Sequence, residues 1–198
     1  MSLKFIIALL LVLMMFNYCG GKKDKVEEQF DFAISDESQL GLETFDKDLG
    51  VKFNSPKKWK FQSASLSRKI EETKNSTNIN ESFSYQPVYL FFDDSTGSVL
   101  SVGFVDNGDT TVSYDFKRNQ YKNILHDKYS KDSATVNEFS YLKINYTLLK
   151  FERNSLISYK ILFTSNKGLI MFDFTIRNEY HDSELRKVKA CIGSILSI

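Results

Sequence analysis

Proline and glycine are scarce, two and nine residues in a chain of 198, which excludes a collagen-like or low-complexity polymer. Two cysteines are too few for a disulfide framework. Neither sign of charge is in excess: 26 basic residues stand against 25 acidic ones. Residues 1–18 carry Lys4 as their one charge, so the remainder is formally neutral. A nucleic-acid binder concentrates a basic surplus on one face, so nucleic acid is not an expected partner. Histidine is limited to two residues. No Gly-x-Ser-x-Gly elbow is present, and no glycine-rich loop leads from a strand into a helix. What the chain does have is 42% hydrophobic and 14% aromatic residues, enough for one globular core.

The N-terminus reads MSLKFIIALLLVLMMFNYC. Lys4 precedes twelve unbroken apolar residues, Phe5 to Phe16. As a helix this run is about 18 Å long against about 30 Å of hydrocarbon, too short to span but suited to the apolar part of an export signal. Cys19 follows, and then the polar, charged run Gly20 to Asp24. The arrangement resembles a bacterial lipoprotein signal, although Phe16, Asn17 and Tyr18 stand where small residues are usual. The resemblance implies a signal peptide at 1–18, lipid on Cys19 and attachment to a membrane of the bacterial cell envelope. Two or three acyl chains give stable anchoring where one does not. The alternatives are an ordinary secretory signal, an uncleaved anchor, or a disulfide between Cys19 and Cys191.

Residues 19–38 read as the lipidated cysteine and a flexible tether, with a folded domain at 39–198. In that domain LGLETFD and GVKFNSP form two strands that end at Pro56, and KWKFQSASL forms a short third. Residues 67–86 are a polar excursion. VYLFFDD and SVLSVGFVDN pair as a hairpin across Asp94 to Gly97. A helix is expected from Ser113 to Lys128, with Phe116, Tyr121, Ile124 and Leu125 on one side. From Tyr141 to Arg177, Leu142, Ile144, Tyr146 and Leu148 alternate with polar residues. The phase then slips to Leu149 and Phe151, which predicts a β-bulge. Two further alternating strands complete a meander. A closing helix over Ser183–Leu196 buries Leu185, Val188, Cys191, Ile192, Ile195 and Leu196, while Arg186, Lys187 and Lys189 face away.

GVKFNSPKKWKF at 50–61, the long meander and the ending VKACIGSILSI together resemble the PsbP-like family, which includes DcrB-type bacterial lipoproteins and the Ran-binding Mog proteins. The resemblance covers residues 40–198. It implies an α+β fold, an antiparallel β-sheet with helices packed on its faces, with Trp59 as a core anchor. It also implies a non-enzymatic binding or assembly role, with an unknown envelope protein or ligand as partner and no cofactor.

Candidate chemistry is thin. The pairs His126-Asp127 and His181-Asp182 could ligate a metal or move protons, but both fall at helix ends, where capping and helix electrostatics account for them. Asp93, Asp94, Asp106 and Asp109 sit in turn-like segments and lack calcium-loop spacing. No catalytic or metal-binding residue is therefore assigned. Two other readings stay open. A carrier would hold a small apolar ligand between sheet and helix. A metal-dependent hydrolase would bring His126 and His181, or one of them and the Asp93-Asp94 pair, into one pocket.

Overall fold

The computed structural model describes residues 32–62, 82–130 and 133–198. In chain order the strands are β1 Leu40–Asp46, β2 Val51–Pro56, β3 Lys60–Gln62, β4 Ser84–Phe92 and β5 Val99–Asp106. Helix α1, Tyr114–Lys128, leads to β6 Thr135–Tyr141, β7 Ile144–Arg153, β8 Leu156–Thr164 and β9 Leu169–Arg177. Helix α2, His181–Gly193, and β10 Leu196–Ser197 end the chain. Two short 3-10 helices, Glu37–Gln39 and Asn178–Tyr180, precede β1 and α2.

The strands build a seven-stranded sheet, β3-β4-β5-β9-β8-β7-β6, and a three-stranded sheet, β1-β2-β10. All recorded pairings are antiparallel. One face of the large sheet is covered by the small sheet and α2. There Phe53 of β2 meets Phe172 edge-on at 4.9 Å, and Val188, Cys191 and Ile192 join the same core. The other face is covered by α1, whose Tyr121 and Leu125 pack with Leu149, Phe151, Leu162 and Met171. The expected α+β architecture, an antiparallel sheet with a helix on each face, is the one observed.

Covering both faces explains the phase slip in β7. Ile144, Tyr146 and Leu148 point to the α2 side, and Leu149 and Phe151 point to α1. Leu148 and Leu149 pair with Ile161 and Lys160 in unbroken register, so the predicted bulge at this place is absent. The register shifts occur instead between Leu40 and Glu43 and between Pro87 and Tyr89. Proline has no N–H for the ladder, which makes Pro87 a natural place for one. Its partner strand contributes Gly103, where a Cβ would stand 2.1 Å from the Gln86 carbonyl oxygen.

Other expectations are corrected at their edges. Phe32 and Ala33 are buried in the main core, and the Ile34 amide donates to the Lys189 carbonyl at 3.2 Å. The folded domain therefore begins by Phe32, inside the stretch expected as tether. Strand β4 starts at Ser84, within the expected polar excursion; residues 63–81 lie outside the described residues. The meander gains an unexpected first strand, β6, and Leu142 is an exposed turn residue instead of a core position. Phe116 is exposed on α1, while Lys117 is buried in its place. Helix α2 stops at Gly193, where the backbone of Ile34 crosses it, so Ile195 is buried beyond the helix and Leu196 pairs with Lys52.

Candidate functional site

The residues with chemical potential fall into five places. His126 closes α1 with its Nδ1 3.7 Å from Asp127, and both side chains are open to solvent. His181 opens α2. Its Nε2 lies 2.6 Å from the Tyr159 hydroxyl and its Nδ1 3.0 Å from Asp182. Burial, then Glu152 and Asp182, push the Tyr159 phenol up to about 12. The two histidines belong to helices on opposite faces of the large sheet and do not converge. Among the described residues, no group of three or more His, Cys, Asp or Glu side chains could hold a metal. The hydrolase reading loses the pocket it required.

The Asp93-Asp94 pair separates. Asp94 is exposed and bonds Lys60 at 2.5 Å. Asp93 is buried, and its Oδ1 accepts from the amide and hydroxyl of Ser95 at 2.8 and 2.5 Å. That is the expected turn chemistry, with an addition the sequence did not indicate. Lys187, expected to face away, reaches inward to Glu184 at 2.6 Å and to Asp93 Oδ2 at 3.8 Å. Glu184 is 1% exposed and also accepts from Trp59 Nε1 at 2.9 Å. Two buried carboxylates thus share one ammonium, joining α2 to the β4–β5 turn and to Trp59. Burial acts to raise the Asp93 carboxyl, but the Ser95 bonds and Lys187 outweigh it and hold it below its ordinary value. Every polar atom here except Asp93 Oδ2 has a hydrogen-bond partner among the described residues. Such a cluster fixes the helix to the sheet.

Cys191 is a free thiol, fully buried, and burial pushes its ionisation up. It is the small hydrophobe that its place on the apolar stripe predicts. Cys19 lies outside the described residues. The space between the large sheet and α2 is filled by Phe53, Phe91, Phe163, Phe172 and Phe174, all under 2% exposed. These side chains occupy the place where an apolar carrier would hold its ligand.

The fifth place is a cleft of about 520 Å³ at the mouth of the β5–α1 connection. Its walls are the end of β5, with Phe104 and Asp106, the first turn of α1, with Tyr114 and Lys117, and the start of β9, with Gly168 and Leu169. Ser113 caps α1 by accepting from the Phe116 amide at 3.2 Å. That leaves Lys117 one turn in, where its side chain runs back over the sheet, 4% exposed, to Asp106 Oδ1 at 2.5 Å. Lys117 first, then the amides of Asn107 and Gly108, hold the Asp106 carboxyl below its ordinary value against the opposing effect of burial. The sequence marks Asp106 only as a turn residue. A lysine at the i position of an apolar helix face is the signal that could have found the pair.

No family model matches the chain, and no curated protein matches it. Among solved structures it is similar to cyanobacterial PsbP (CyanoP) from Synechocystis sp. PCC 6803, with 14% identity and a TM-score of 0.48 over 81% of this chain and 94% of that one. A likeness of that size settles neither family nor function. No helix among the described residues is long and apolar enough to cross a membrane.

Proposed function

We propose that the chain is a bacterial envelope lipoprotein, held to a membrane by lipid on Cys19, whose α+β domain binds a partner without catalysing a reaction. The observation that carries the reading is the run Phe5 to Phe16 followed, after Asn17 and Tyr18, by Cys19 and a charged spacer. The fold adds a length to that spacer. With the domain beginning by Phe32, residues 20–31 separate it from the lipidated cysteine. Fully extended, that spacer reaches about 40 Å, so the domain works close to the headgroups. The buried and half-buried ionisable groups support the non-catalytic part, since Glu184, Asp93, Lys187 and His181 are held by one another or by core side chains. DcrB-type membership is part of the same proposal and rests on the sequence resemblance at 50–61 and 188–198.

Metabolic labelling with a clickable fatty acid tests the anchor. Wild type takes the label and Cys19→Ser does not. Equal labelling of the two proteins, or of neither, overturns it.

A further inference from the structure

The cleft beside α1 is large enough for a small molecule, since such sites span about 300–1,000 Å³. Its chemistry is lopsided in a way that selects a ligand. An ammonium carries three N–H donors. Asp106 takes one from Lys117, and the Tyr114 ring lies 5.8 Å from Nζ. Among the described residues no second acceptor reaches it. Asp106 is tied by the Asn107 and Gly108 amides as well as by Lys117, so it holds the ammonium on the wall instead of turning to a ligand itself. Lys167 also lines the cleft and is exposed. The lining has two lysines against one aspartate, a surplus of one positive charge inside the cleft, while Asp109, outside the lining, also attracts Lys117. The lining also carries apolar Phe104, Val112 and Leu169 beside polar Gln86, Thr110 and Ser113.

We propose that this cleft binds a small amphiphilic monocarboxylate, its carboxylate between Lys117 and Lys167 and its apolar body along Phe104, Val112 and Leu169. A single negative charge balances the surplus and supplies acceptors to the unused Lys117 donors. An inorganic anion would leave the apolar wall wet, and a neutral apolar molecule would leave the ammonium unanswered. The site is distinct from the filled core under α2, and it stands or falls independently of the anchor on Cys19.

The test is isothermal titration of the full chain, purified in maltoside micelles, with hydrocinnamate and with its neutral amide as probes. Hydrocinnamate binds at one saturable site, and the amide binds at least about tenfold more weakly. Lys117→Met abolishes the difference between acid and amide. Lys167→Gln, on the exposed rim, weakens the acid alone and leaves the melting curve unchanged, so the proposal remains decidable if the buried lysine proves necessary for folding. Absence of saturable binding overturns the proposal. So does equal affinity for acid and amide in the wild type, or an affinity that neither variant changes, which is the signature of partition into the micelle.

Discussion

The backbone of Ile34 crosses Gly193 so closely that a Cβ built on that glycine would stand 2.0 Å from the Ile34 carbonyl oxygen. The contact lies where the N-terminal segment is fastened to α2, between the Ile34–Lys189 backbone bond and the ion pair of Asp36 with Arg186 at 2.8 Å. Gly193→Ala therefore has to push that segment off the helix. Overpacking of this kind costs about 1–3 kcal/mol. The expected result is a lower melting temperature together with faster amide exchange at Ile34. Stability and exchange both equal to wild type would show that the segment is not held at this crossing.

The meander shows how much was legible and why the rest was not. Strands β7, β8 and β9 follow from alternation, because their apolar positions keep a period of two against one buried face. Strand β6 was hidden by its turn. Tight two-residue hairpins demand positive φ and usually signal it with Asn-Gly, whereas here Leu142 and Lys143 take φ of 48° and 66°. Read as sequence, Leu142 simply extends the alternation of β7. The apparent bulge at Leu148 and Leu149 had a different cause, since a sheet covered on both faces lets either phase be apolar. The N-terminal edge failed because the apolar run Phe32-Ala33-Ile34 is too short to set a pattern within a polar stretch. At the cleft, Lys117 and Asp106 are eleven residues apart on different elements, and no local pattern relates them.

That turn yields a prediction of opposite sign to most substitutions. Left-handed backbone costs an ordinary L-residue about 1–2 kcal/mol, and glycine or asparagine avoids most of it. The double change Leu142→Asn with Lys143→Gly keeps the turn and removes an exposed leucine. Chemical denaturation is expected to show a gain of about 1 kcal/mol, with an unchanged slope against denaturant. A loss of stability would mean that Leu142 makes contacts worth more than the strain it carries.

The last prediction concerns acid. Asp93 is buried beside Lys187, and its carboxyl is held below the ordinary value of 3.8 even though burial alone would raise it. A carboxyl that is more acidic in the folded state than in the unfolded one stabilises the fold fully above the unfolded value. That contribution is lost as pH falls through the lower, folded value. The unfolded chain binds the proton first, so stability falls with falling pH in this window. Asp93→Asn removes the charge that faces Lys187 while keeping much of the Ser95 turn. At neutral pH the variant melts below wild type. As the pH is lowered past about 4, wild type loses its advantage and the two curves converge. Thermal unfolding followed by circular dichroism across that range reads the effect directly. A gap between the curves that stays constant from neutral pH into acid would mean that Asp93 acts through shape and hydrogen bonding alone, and that its ionisation contributes nothing to joining α2 to the β4–β5 turn.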